Sequence, residues 1–325
     1  MDYRRLGQTG LKVSTLCLGT MQFRWTTDAA TAHQVLDAFV EAGGNFVDTA
    51  DIYTNWAAGL QGGEAETVIG EWLTLRGRRR DLVLATKARG RMWPGPNGEG
   101  LSRAHLIRAC EDSLRRLQTD YLDLYQTHWP DADTPIDETL RALEDLVRAG
   151  KVRYLGCSNH NGWQLTEAIL TARHAGLSEY VSLQPHWSLV HRAEFERDAY
   201  PVARKYGLGI IPYSPLGRGF LTGKYRRGQA LPDSQRRGAV QRLMTDRNFA
   251  ILDKLDEAGR LLGKTPGQVA LAWLLAKPNV AAPIIGANTP AQLADSLGAV
   301  GLKLDAATVT ALDEVSAWPT EADQA

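Results

Sequence analysis

Asp48, Tyr53, Lys87 and His128 are the residues of this chain whose types, taken together, could move a proton. Tyrosine at its ordinary pKa of ~10 is a poor acid or base at neutral pH. An ammonium beside it favours the phenolate and lowers that pKa, and a carboxylate keeps the ammonium charged and in place. A histidine can orient a substrate oxygen or join the relay. Such a set describes a proton-transfer device rather than a metal site or a nucleophile. An acid that donates to a carbonyl oxygen needs a hydride to arrive at the carbon. No side chain supplies one, so the chemistry implies a nicotinamide cofactor. Singly, each residue has an ordinary explanation, because a lysine at a strand end is usually solvated and a lone histidine is usually a surface or satisfied core group. Only their joint placement would carry the chemistry.

The elements that must place them alternate along the chain. Short apolar runs at 16–22, 45–50, 82–87, 121–127, 152–157, 180–184, 208–213 and 280–285 read as strands covered on both faces, as in a parallel sheet. Helical periodicity fills the intervals, as in the stripe Leu106, Cys110, Leu114 and Leu117. Cys110 on that stripe reads as core packing. Thr134-Pro135-Ile136-Asp137 and Thr289-Pro290-Ala291-Gln292 offer helix starts, and Gly150, Gly176 and Gly207 offer stops. Eight strands each followed by a helix predict a (β/α)8 TIM barrel forming one domain over residues 1–325, with a doubly wound open sheet as the alternative. The surplus over a minimal barrel falls in an N-terminal hairpin (YRRLGQTGLKV), a long loop at 217–246 after strand seven, a helix pair around 247–276 and a C-terminal helix near 306–317. Active sites of such barrels sit at the C-terminal strand ends. Those ends carry Asp48, Lys87, His128, Ser158, Asn159, Gln184, Tyr213 and Ser214, with Tyr53 five residues beyond Asp48.

Composition agrees with a soluble globular protein. Lys plus Arg and Asp plus Glu are 37 each in 325 residues, and the zero balance argues against nucleic-acid binding. The three cysteines lack the spacing of a zinc site or a redox pair. The first residues lack the apolar stretch of a signal peptide, and the longest apolar run, Val269 to Ala276, is far short of the ~20 residues that span a bilayer. These features predict a cytoplasmic protein with no membrane or nucleic-acid partner.

The chain resembles the aldo-keto reductases over almost its full length. The marks are LGQTGLKVSTLCLGTMQF, GGNFVDTADIY around Asp48 and Tyr53, LATK ending in Lys87, and YLDLYQTHWPD around His128. GCSN, SLQP, IIPYSPLGRGFLTGKY and IIGANTPAQLADSL follow in the family's order, most similar to the bacterial and potassium-channel β-subunit branches. The resemblance implies that Tyr53 is the general acid, tuned by Lys87 and Asp48, and that His128 orients the carbonyl. It implies a nicotinamide held near Gly19, Thr20, Met21, Asp48, Ser158, Asn159 and Gln184, with Tyr213 stacked on the ring. Ser214, Pro215, Leu216, Gly217 and Arg218 would wrap the pyrophosphate with Lys224, and Gly286, Asn288, Gln292 and Asp295 would meet the adenosine end.

Two departures touch those adenosine contacts: Asn288 stands where the family often has Arg or Lys, and Asp295-Ser296 where it often has Glu-Asn. His186-Trp187 replaces a more usual pattern after the glutamine and receives no role. His186 and His191 are five apart, which does not make a zinc pair on a helix. GFLTGKY lacks the residues of a phosphate loop, and no GxGxxG follows the first strand. Four arginines at 226, 227, 236 and 237 suggest that the long loop closes over a dinucleotide and that Arg236 or Arg237 clamps a 2′-phosphate, which favours NADP(H) over NAD(H). Trp25, Trp56, Trp93 and Trp129 lie in loops that would wall a substrate pocket. The resulting expectation is an NADP(H)-dependent reductase of small aldehydes or ketones, sugar-derived or aromatic. The alternatives are a polyol or sugar dehydrogenase working in oxidation, and a slow redox-sensing partner subunit.

Overall fold

Each apolar run becomes a strand because helices cover one face and the centre of a closed barrel covers the other. The computed structural model describes residues 1–229, 235 and 237–318. An antiparallel hairpin, β1 (Tyr3–Arg5) with β2 (Lys12–Ser14), precedes the barrel. The barrel strands are β3 (Cys17–Gly19), β4 (Phe46–Asp48), β5 (Val83–Ala88), β6 (Leu122–Thr127), β7 (Val152–Ser158), β8 (Tyr180–Gln184), β9 (Gly209–Ile210) and β10 (Ile284–Gly286). They pair in parallel in chain order, and β10 returns to pair with β3. The remaining seam closes through Ile210 N–H to Asn279 O, Ala281 N–H to Ile210 O and Ile284 N–H to Pro212 O, each at 2.8 Å.

The last two strands are shorter than the runs 208–213 and 280–285. Pro212 and Pro283 lie within those runs, and a proline has no N–H to give the ladder. The carbonyls of both residues still accept, so the seam survives while the regular pairing shortens.

Around the sheet run α1 (Ala29–Glu41), α2 (Glu64–Arg76), α3 (Arg103–Leu117), α4 (Ile136–Arg148), α5 (Gly162–Ala175), α6 (Tyr200–Lys205), α7 (Arg237–Gln241), α8 (Asp246–Leu262), α9 (Pro266–Leu275), α10 (Pro290–Leu297) and α11 (Ala306–Val315). Side chains of Asp28, Ser102, Asn161, Thr245, Thr265, Thr289 and Asp305 cap their helices, each cap being worth about 1 kcal/mol. Thr134 does not cap α4. Pro135, with ψ 134°, takes that place, and the Thr134 hydroxyl donates to Asp131 instead. α5 ends at Gly176 in the left-handed region at φ 65°, where a side chain would be strained. Leu106, Cys110, Leu114 and Leu117 are buried as their periodicity predicts. No helix among the described residues is long and apolar enough to cross a membrane.

Strand alternation sorts the sheet into two cores. Leu18, Val47, Leu84 and Tyr125 face the helices. Cys17, Phe46, Val83, Ala85 and Leu124 fill the barrel, with Leu6 and Val13 of the hairpin segment in the same cluster. Two residues further along the inward-facing rows come Asp48 above Phe46, Lys87 above Ala85, and Gln126 then His128 above Leu124. The residues that could do chemistry are the upper continuation of the barrel core.

Candidate active site

Asp48 ends β4 and is buried. Its Oδ1 accepts from Gln126 Nε2 at 3.1 Å and Gln184 Nε2 at 2.9 Å, and its Oδ2 accepts from Lys87 Nζ at 2.6 Å. Lys87 Nζ also donates to Thr49 O at 2.7 Å and to the Tyr53 hydroxyl oxygen at 2.9 Å. An ammonium has three N–H groups, and these partners account for all of them. Lys87 is completely shut off from solvent. Burial alone would discharge it, but the Asp48 carboxylate and the Tyr53 hydroxyl more than offset that and hold its pKa above the ordinary lysine value. Breaking a buried pair of this kind by removing one partner costs about 3–5 kcal/mol.

Tyr53 corrects one expectation. Its pKa is pushed up to about 12 rather than down, because burial outweighs the lowering effect of Lys87, and Asp48 adds to the rise. The phenol therefore holds its proton at neutral pH, as an acid must. His128 is also buried, and burial, with the Lys87 charge adding to it, takes its pKa well below the ordinary imidazole value. It is neutral, with its Nδ1 lacking a protein partner. The rings of Tyr53 and His128 lie 6.0 Å apart, nearly edge to face, and Trp129 stacks on His128 at 3.8 Å.

The next residue beyond the tyrosine carries backbone strain. Thr54 sits at φ 85°, an uncommon place for a β-branched residue. Its hydroxyl bonds to the Glu64 carboxylate, which also accepts from the N–H groups of Gln61 and Gly62 and so ties the loop to the start of α2.

A cleft of about 1130 Å³ opens over this floor. Its lining includes Gly19, Thr20, Met21, Asp48, Tyr53, His128, Ser158, Asn159, Gln184, Tyr213, Ser214, Pro215, Leu216, Arg218, Lys224, Gly286, Asn288, Gln292 and Asp295. Lys87 lies beneath it. Gly217 is buried outside the lining, close to Val190. Arg237 is exposed at the start of α7 and also outside the lining, and Arg236 lies outside the described residues. Asn288 and Asp295 already have partners: Thr26 and Thr27 donate to Asn288 Oδ1, and Thr265 and Gln268 donate to Asp295 Oδ1.

Trp56 (46% exposed) and Trp129 (40% exposed) line the cleft. Trp25 is outside the lining and meets Trp56 edge-on at 5.5 Å. Trp93 does not join them. Its ring packs on His105 at 4.7 Å and under the Arg108 guanidinium at 4.1 Å, because its loop folds down onto α3.

Sequence reasoning missed Gln126, Gln22 and Gln235. Gln126 is two residues before His128 on the same inward row, a signal that could have found it. Gln22 donates to Gly19 O and Ala287 O across the seam between the first and last barrel strands. Gln235 lines the cleft from the long loop.

The donor set fits a nicotinamide dinucleotide. Amides and hydroxyls at Ser158, Asn159 and Gln184 suit a carboxamide, the flat ring of Tyr213 suits an aromatic ring, and Arg218 and Lys224 suit a diphosphate.

The family model described as "Aldo/keto reductase family" matches residues 15–317. The chain is 40% identical over 324 residues to "Uncharacterized oxidoreductase YrpG" of Bacillus subtilis, covering 98% of this chain and 97% of that protein. It is 36% identical to a "Probable voltage-gated potassium channel subunit beta" of Arabidopsis thaliana, over 92% and 91% of the two chains. It is 34% identical to "Norsolorinic acid reductase" of Aspergillus flavus, over 97% and 81%. A closed parallel barrel, a hydrogen-bonded cluster of Asp48, Lys87 and Tyr53 at its C-terminal rim and likeness along nearly the whole chain lead to one assignment: the protein belongs to the aldo/keto reductase family of oxidoreductases, whose members generally use NAD(P)H and act on small carbonyl compounds.

Proposed function

We propose that this protein reduces aldehydes or ketones to alcohols with NADP(H), using Tyr53 as the general acid. One observation carries the reading: the Tyr53 hydroxyl lies 2.9 Å from a fully buried lysine that is itself held by a buried aspartate, at the floor of a large cleft. Bound NADP(H) supplies the hydride. Tyr53 donates its proton to the carbonyl oxygen as negative charge develops there. Lys87 stabilises the phenolate left behind, and Asp48 keeps Lys87 charged and pointed at that oxygen. His128, neutral, orients the carbonyl oxygen without competing as the acid. Trp56 and Trp129 form an apolar wall that favours flat or apolar substrates.

The test is the Tyr53→Phe variant assayed with NADPH and NADH against a panel of carbonyl compounds. The phenyl ring fills the same space, so the fold and cofactor binding should persist. Reduction should fall by about 10²–10⁴-fold or more. Retention of half the rate, with chemistry limiting, would remove Tyr53 from the role of acid.

The similarity to a potassium-channel β-subunit supports a second reading, a slow redox-sensing partner. Steady turnover of a generic aldehyde distinguishes the two, since a sensor would hold cofactor tightly and turn over very slowly.

A further inference from the structure

Tyr213 is the innermost of three stacked rings. The His186 ring lies parallel to it, with centroids 5.0 Å apart and an interplanar angle of 9°. His191 stacks on the other face of His186 at 3.7 Å and 21°. Mutual backbone bonds between Ser188 and His191, at 3.1 and 3.0 Å, fold the segment so that the two imidazoles meet, and Glu194 Oε2 lies 3.1 Å from His191 Nε2 at the outer end. Because His186 covers one face of Tyr213, the face left to line the cleft is the other.

The tethers on Tyr213 explain why a covered face matters. Its backbone N–H donates to Pro185 O at 2.9 Å, and its hydroxyl donates to Asn159 Oδ1 at 3.0 Å. The Cβ and the hydroxyl oxygen both lie on the axis about which the ring turns. Holding those two points fixes where the ring is and leaves its plane free, since the χ2 torsion of an aromatic residue is broad. A contact on the face sets the plane, and His186 makes such a contact. Burial, with His191 and Arg218 adding to it, pushes the His186 pKa down to about 3, so the imidazole stacks as a neutral ring at any working pH. On the far side, Asn159 Nδ2 donates to the backbone carbonyl of His128 at 2.9 Å, which links the ring column to the catalytic floor.

We propose that His186 is a positioning residue for the dinucleotide: by setting the plane of Tyr213 it orients the surface on which the planar nicotinamide settles. This inference rests on the proposed reading of the cleft as a nicotinamide site.

The experiment compares wild type, His186→Ala and His186→Phe by quenching of intrinsic tryptophan fluorescence. The probes are NADPH and NADH, and the fragments adenosine 2′,5′-bisphosphate and ADP, which lack the nicotinamide. His186→Ala should weaken the better-bound dinucleotide by roughly threefold to tenfold, the scale of one aromatic stack. Its matching fragment should bind as in wild type, and His186→Phe should restore the dinucleotide affinity. Unchanged dinucleotide binding in His186→Ala, an equal loss for dinucleotide and fragment, or no restoration by phenylalanine would each overturn the inference. If wild type bound neither dinucleotide, the proposed function would fall, and this inference with it.

Discussion

The Nζ of Lys87 lies 2.9 Å from the phenol oxygen of Tyr53, yet that contact lowers the tyrosine pKa only part of the way back from the rise that burial imposes. With the net value pushed up to about 12, Tyr53 rests protonated at neutral pH, the form that the proposed reduction requires. In the reverse direction it must first ionise.

Lys87→Met removes the cation and leaves the Asp48 carboxylate near the phenol, so the tyrosine pKa should rise further. Alcohol oxidation, which on the proposed mechanism needs the phenolate, should climb with pH in wild type and need still higher pH in the variant. Both directions should slow, by about 10²–10⁴-fold if the acid is disabled. The orphaned Asp48 should cost about 3–5 kcal/mol of stability, and the double variant Lys87→Met with Asp48→Asn should recover much of that stability but not the activity. Unchanged rates and pH profile in the single variant would make Lys87 a bystander.

Cofactor preference is open to titration. Arg218 and Lys224 line the cleft, and so does Gln235, which precedes Arg236 and Arg237 in the sequence. Asn288 is neutral and its Oδ1 accepts from Thr26 and Thr27, so on the proposed reading a 2′-phosphate would take its cation from another residue. In the Arg236→Ala, Arg237→Ala double variant, NADPH affinity should drop roughly ten- to a hundredfold while NADH affinity hardly moves. Tighter wild-type binding of NADH would overturn the proposal of NADP(H).

The two tryptophans of the wall should separate kinetically. Trp56 touches Trp25 and Tyr53 edge-on, so Trp56→Ala should raise KM for a flat aromatic aldehyde by roughly threefold to tenfold and spare a small aliphatic one. Trp129 stacks on His128, so Trp129→Ala should also lower kcat. Identical kinetic changes in the two variants would argue that both rings serve only as wall.

Asp51 should govern part of the pH dependence of stability. Both of its carboxylate oxygens are buried without a well-formed hydrogen bond, and burial, with Glu66 adding to it, raises its pKa well above the ordinary value. A group whose folded pKa is raised contributes fully below its unfolded pKa, and that contribution is lost as pH rises toward the folded value. Asp51→Asn carries no such term. Its melting temperature should therefore gain on wild type progressively as pH rises above about 4. A difference that stays constant with pH would show that Asp51 does not titrate in the folded protein.

Much of the fold was legible because its signals are local. Apolar runs marked the strands, Leu106, Cys110, Leu114 and Leu117 marked a helix face, and Thr289-Pro290 marked a start that the structure keeps. Thr134 failed as a cap because the extended Pro135 takes the N-cap place and α4 starts only at Ile136, which leaves Thr134 one residue too early. Trp93 misled because a loop position does not say which way the loop folds, and this one packs on α3.

The sequence by itself determined the order of the elements and the residue types at the strand ends, since period-two alternation puts Asp48, Lys87 and His128 on the rows that fill the barrel. The tertiary structure alone decided the balance of energies at the site. Whether Lys87 or burial controls the Tyr53 proton depends on how completely water is excluded, and that exclusion is made by residues from every part of the chain. It also decided that His186 and His191, unremarkable five residues apart, stack into a column with Tyr213. Ring planes and dielectric surroundings arise from contacts between distant segments, and no local pattern in the chain encodes them.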